Sequence, residues 1–229
     1  MDFTARTPYD LNFSLWGYPV RVNPFFWIIM ACLGYRPGDL QFMTIFALGA
    51  FLSILLHEYG HGLVARAMGC RPVGILLYGM GGLCYYEPRR HLARWEEIVI
   101  SLAGPFTNFA LFGLVWLSYQ PLIPFERETP LNLILIDFYN VMFFVNVFWG
   151  IINLFPILPL DGGRVMFNLL RYLNPLKALE WAALLSMGIV AVLGILYVQY
   201  FGPGLNLVLI AFLFFANLQT YQMSRSQFS

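Results

Sequence analysis

Three histidines occur in this 229-residue chain, and two of them stand in the pentad His57-Glu58-Tyr59-Gly60-His61. On an α-helix, positions four apart share one face, so both imidazoles can offer a nitrogen to one Zn²⁺ at about 2.0–2.1 Å. Glu58 projects from the adjacent position, where it can take a proton from a metal-activated water instead of binding the metal. Two histidines do not complete a tetrahedral catalytic site, which needs a third protein ligand and keeps its fourth position for water. His91, among Arg89, Arg90 and Arg94, reads as a solvated or headgroup-facing loop residue. Asp137 and Asp161 remain as candidates, at opposite ends of one apolar segment.

The elements that must position these groups follow from composition. With 59% hydrophobic and only 11% charged residues, the chain cannot cover itself with a water-facing surface, so its solvent is largely lipid. Thirteen basic against twelve acidic residues leave no basic face for nucleic acid, and the apolar content excludes a disordered regulator. The apolar runs are continuous where a membrane barrel would alternate, so the fold class is an all-α polytopic membrane protein. Six segments are expected, near 24–35, 41–65, 97–119, 131–155, 178–200 and 205–222, within a single domain over residues 1–229. The first is short and reads as a tilted or re-entrant helix. The opening Met1-Asp2-Phe3 has no basic n-region, so no removable signal peptide is expected. Cys32, Cys70 and Cys84 form no CxxC pair and read as packing residues.

Six crossings put 11 of the 13 basic residues on one side, and a re-entrant first segment leaves 9. That side is expected to be cytoplasmic, with both termini on it when all six segments cross. His57 follows Gln41 by 16 residues, which is about 24 Å along a helix, toward the cytoplasmic end of the second segment. Asp161 follows the cytoplasmic end of the fourth segment and Asp137 begins it on the far side, so Asp161 is the geometric choice of third ligand. Its setting, Asn153-Leu154-Phe155-Pro156-Ile157-Leu158-Pro159-Leu160-Asp161-Gly162-Gly163, forbids a regular helix at both prolines. Irregular backbone at membrane depth is tolerated only inside protein or beside a watery cavity.

These residues resemble the site-2 protease family of intramembrane zinc metalloproteases. The resemblance rests on the pentad at His57, on Asn153 through Gly163, and on Ser101-Leu102-Ala103-Gly104-Pro105-Phe106-Thr107-Asn108 between them. It covers roughly residues 20–222 in a compact form without a PDZ or CBS domain. It implies that His57, His61 and Asp161 bind zinc, that Glu58 is the general base, and that Asn153 contacts the substrate or its developing oxyanion. By residue type alone Asn153 serves equally as an interhelical hydrogen-bonding group. Asn108 reads mainly as part of a close-packing stripe with Ser101 and Gly104.

The glycine-broken, β-forming stretch from Pro72 to Glu87 is expected to form a short membrane-associated hairpin or loop between the second and third segments. Its edge is suited to capturing an unwound substrate, and a weak strand is expected within Asn12 to Val22. Asp137 and Asn140, one turn apart, read as a helix-start pair. The expected function is hydrolysis of peptide bonds in transmembrane protein segments near the cytoplasmic face, in the cell (inner) membrane, with Zn²⁺ as cofactor and the bilayer as the surrounding partner. A membrane zinc carrier, a silent scaffold and a lipid-directed membrane hydrolase are the competing readings.

Overall fold

The computed structural model describes residues 6–122, 129–202, 204 and 206–226. Among them the chain runs β1 (Leu11–Leu15), β2 (Tyr18–Val22), α1 (Pro24–Leu33), α2 (Leu40–Ala67), β3 (Cys70–Tyr78), β4 (Gly81–Pro88), α3 (Arg94–Leu122), α4 (Pro130–Asn153), α5 (Asp161–Leu173), α6 (Ala178–Phe201) and α7 (Asn206–Ser226). Five helices, α2, α3, α4, α6 and α7, are long and apolar enough to cross a membrane. The first expected segment is α1, whose 10 residues reach about 15 Å, half of a hydrocarbon core. Residues 123–128, between the third and fourth expected segments, Pro203, between the fifth and sixth, and residue 205, the first of the sixth, lie outside the described residues. The described residues group into two compact units, one drawn from residues 6–91 with 103–122 and 129–150, the other from 92–102 with 151–202, 204 and 206–226.

In the first unit, alternation builds a four-stranded sheet in the order β1-β2-β3-β4. The β1/β2 and β3/β4 pairs are antiparallel, whereas β2 and β3 run parallel with Val20 opposite Ile75 and Val22 opposite Leu77. Tyr18, Val20 and Val22 point inward at every second residue and join Ile75, Leu77, Ile54, Leu55 and Tyr59 in one apolar core. The β3/β4 hairpin lies where the glycine-broken stretch predicts strands, and the weak N-terminal strand resolves into the β1/β2 hairpin. The parallel pairing was not legible in the sequence, because it joins segments separated by two helices.

That pairing constrains the path of the chain. Since β2 bonds to β3, both hairpins sit at the C-terminal end of α2, and the chain must return along α2 before that helix begins. It does so through α1 and residues 34–39. Asn23 starts α1 by accepting from the Phe25 N–H at 2.9 Å with Pro24 at the first helical position, and Asp39 starts α2 by accepting from the Phe42 N–H at 2.8 Å. A side chain at Gly34 would run into Phe46, so α1 lies close on α2. At the other end Gly69, with φ near +83°, turns the chain into β3. Gly49 admits Val141 of α4, and Gly60 admits Thr107 and the Ala103 carbonyl of α3, so three helices meet at small residues.

In the second unit, α5 is a 13-residue amphipathic helix beyond the six expected segments. The Arg171 guanidinium donates to Glu97 in the first turn of α3 at 2.6 Å and to Asn168 at 2.7 Å, and Arg94 lies over the Tyr172 ring. Helix α6 packs on α7, where Gly194 admits Ile210.

The sheet is tied to α2 by two tyrosines: Tyr18 donates to the Gly62 carbonyl at 2.6 Å and Tyr59 donates to the Leu15 carbonyl. Their rings meet edge to face at 5.0 Å. Tyr18→Phe keeps the ring and removes a buried bond, so it should cost roughly 0.5–1.5 kcal/mol. Denaturant titration in mild detergent checks this, and an unchanged midpoint would refute the tie.

Candidate metal centre

Helix α2 is nearly free of polar groups until Ser53, then carries His57, Glu58 and His61 at 2%, 5% and 5% exposure. The helical repeat aims both imidazoles the same way, and their Nε2 atoms lie 3.1 Å apart with the rings nearly perpendicular at 81°. Two nitrogens bound to one tetrahedral zinc at about 2.05 Å would stand roughly 3.3 Å apart. The pair is therefore spaced as two ligands of one ion. Asp161 is the first residue of α5 and is 6% exposed. One candidate ligand atom from each of His57, His61 and Asp161 lies within 4.8 Å of the others, a buried group able to hold a metal. Two imidazoles and one carboxylate form a zinc donor set that leaves a fourth position open.

The loop before Asp161 is irregular, as its prolines require, and its backbone groups find specific partners. The Leu158 N–H donates to Ser186 Oγ of α6 at 3.0 Å, and the Leu158 carbonyl accepts from Asn217 of α7 at 2.6 Å. Side chains at Gly162 or Gly163 would meet the backbone of residues 154–158, so the glycine pair lets the first turn of α5 lie against its own approach loop. Asn153, the last residue of α4, is partly buried and stands outside the three-residue group. Asp137 is likewise outside it.

Three residues at the site carry more than their sequence reading. A methyl group on Gly104 would fall 2.6 Å from His57 Nε2 and closer still to His61 Nε2, so α3 passes the two imidazole nitrogens with bare backbone. Gly82 of β4 does the same at Glu58, whose Oε1 would stand 2.5 Å from an added Cβ. Asn108, read as packing, presents Oδ1 to His57 Nδ1 at 2.5 Å. The signal for Gly104 and Asn108 was their position in the motif Ser101 to Asn108. Gly82 had no signal beyond the glycine content of its strand.

Membrane-length helices and a buried two-imidazole, one-carboxylate group define an integral membrane metalloprotein, and its cofactor is Zn²⁺. The profile of peptidase family M50 matches residues 45–123 and 122–197, more than half of the sequence, and the chain belongs to that family. It is 30% identical over 150 residues to stage IV sporulation protein FB of Bacillus subtilis, covering 66% of this chain and 47% of that protein. It is 28% identical over 208 residues to zinc metalloprotease MJ0392 of Methanocaldococcus jannaschii, covering 83% and 58%. The chain thus spans about half the length of the curated relatives it matches. The solved site-2 protease from Methanocaldococcus jannaschii shares the fold, with a TM-score of 0.60 at 22% identity over 95% of this chain and 94% of that one.

The Gly104 geometry is testable. Gly104→Ala should strip the purified protein of zinc, whereas Gly113→Ala on the same helix, where an added Cβ meets nothing within 4 Å, should keep the full load. Elemental analysis reads both, and a wild-type zinc content in Gly104→Ala would overturn the placement.

Proposed function

We propose that this chain is an intramembrane zinc endopeptidase, a single catalytic domain that cleaves transmembrane protein segments near the cytoplasmic face. One observation carries the reading: the buried group of His57, His61 and Asp161, with a buried glutamate adjoining in sequence, in a chain whose described residues include five membrane-length helices. Membership of a peptidase family and the printed name of the Methanocaldococcus relative support it.

In this reading His57, His61 and Asp161 are the three protein ligands. Zinc held there supplies Lewis acidity, which polarises the scissile carbonyl and makes water nucleophilic near neutral pH. Glu58 accepts the proton of the attacking water and passes it to the leaving amine. Asn153 donates to the oxygen that becomes negative as the carbonyl is attacked. A helical substrate shields its own peptide bonds, so the segment must first be drawn out. The outer edge of β4 is the docking strand, where an extended segment pairs by backbone hydrogen bonds and comes beside Glu58 at Gly82. The excess of basic residues on one side orients that end toward the cytoplasm of the cell (inner) membrane, with both termini on the same side when α1 completes the sixth crossing.

Glu58→Gln should retain zinc and fold yet lose at least about 10²-fold in the cleavage of membrane proteins. Comparing membrane-protein fragments from cells carrying each form checks this and identifies the substrate. Retained cleavage would remove Glu58 as the base. A change in lipid products with unchanged protein fragments would replace the peptide reading by lipid hydrolysis, and zinc flux surviving the substitution would favour a carrier. Once a substrate is found, prolines placed in its extended segment should slow cleavage wherever they remove a pairing N–H. Indifference to every such proline would exclude strand capture.

A further inference from the structure

A polar chain runs from His57 into the contact of α2, α3 and α4, and its direction is fixed at a backbone carbonyl. Ser53, Asn108 and Asn146 are each fully buried, so every donor and acceptor among them needs a partner. Asn146 Nδ2 donates to the Met142 carbonyl at 2.8 Å and to Ser53 Oγ at 3.0 Å. A carbonyl oxygen only accepts, so the atom facing it is the nitrogen, and Asn146 Oδ1 must point the other way. There it accepts from Asn108 Nδ2 at 2.9 Å, and the same nitrogen reaches the Ser53 carbonyl at 3.4 Å. Asn108 is thereby fixed with Oδ1 toward His57 Nδ1, at 2.5 Å. An amide oxygen has no proton to give, so Nδ1 carries the hydrogen, and in the neutral imidazole Nε2 then keeps its lone pair.

We propose that Asn146 is a positioning residue that acts through Asn108 to hold His57 as the Nδ1–H tautomer, with Nε2 turned toward the metal position. The inference rests on the reading of His57 as a zinc ligand. Neither amide touches the metal, and each works by polarity. Were Asn146 to turn over, its N–H would face the Asn108 N–H and its oxygen would face the Met142 carbonyl. Asn108 could then turn too, and present N–H groups to a ring nitrogen that must itself donate. Partners of this kind, one step behind a ligand, change metal affinity by about 10–100-fold.

Two measurements on the full-length protein in detergent test this. In metal-free wild-type protein with ¹⁵N-labelled histidine, where His57 is one of three signals, the expected form is Nδ1–H; an Nε2–H form would overturn the proposal without any variant having to fold. Zinc affinity by chelator competition should fall about 10–100-fold in Asn146→Leu. It should return toward wild type in the double variant Asn108→Asp with Asn146→Leu, because a carboxylate accepts from Nδ1–H whichever way it turns. The visible spectrum of the cobalt-substituted forms should follow the same order. Unchanged affinity in Asn146→Leu, or no recovery in the double variant when its metal-free unfolding midpoint equals that of Asn146→Leu, would overturn the role. A wild-type protein that shows the expected tautomer but binds no zinc would instead overturn the reading of His57 as a ligand.

Discussion

The interaction on which the rest of this structure depends is the answering of buried polar groups by other buried polar groups. Helix α2 carries two imidazoles and a carboxylate into a region with almost no water-facing surface, where an unpaired polar group costs roughly 1–3 kcal/mol and a charged one more. The surrounding elements supply partners in proportion. α3 brings Asn108 and α4 brings Asn146. α6 and α7 answer the two exposed ends of the Leu158 peptide that leads into α5. The helices are thus specified twice, by apolar faces that any membrane helix could offer and by polar contacts that fit only one arrangement.

Such contacts require backbones to approach more closely than ordinary side chains allow. Gly49, Gly60 and Gly104 clear the way along the faces where α2 meets α4 and α3, and Gly82 clears it where β4 meets Glu58. Each glycine weakens its own element by roughly 0.5–1 kcal/mol relative to alanine, a local cost that comes with the close approach of its neighbour. The neighbouring Tyr18 and Tyr59 compensate by fastening the sheet to the same helix end with their hydroxyls and rings.

What could be read from the sequence follows from which signals are local. The grouping of His57, His61 and Asp161 was legible, the histidines from their spacing on one helix and Asp161 from its place beyond the cytoplasmic end of the fourth segment in an irregular proline- and glycine-rich stretch. Long apolar runs locate α2, α3, α4, α6 and α7 to within a few residues. Helix α5 was not legible because its 13 amphipathic residues fall short of the roughly 20 apolar ones that mark a crossing. The parallel pairing of β2 with β3 escaped because Val20 and Ile75 are joined only through the fold. Asn108 escaped for a third reason: an asparagine on a small-residue stripe looks the same whether it packs or orients, and the difference lies in the imidazole across from it.

The choice of an amide behind His57 also has an electrostatic logic. With zinc held as proposed, its two positive charges meet two negative ones, from Asp161 as ligand and Glu58 as base. A carboxylate behind His57 would fix the tautomer equally well, but it would add a third negative charge in a medium where charges a few ångströms apart interact far more strongly than in water. That charge would weaken the Lewis acidity that zinc supplies to water in this reading. An amide supplies the acceptor without the charge. Its one weakness is that it can turn over, and the Met142 carbonyl removes that freedom through Asn146. The second asparagine is therefore the consequence of choosing the first, and α4 enters the site through the backbone carbonyl that sets the direction of the chain.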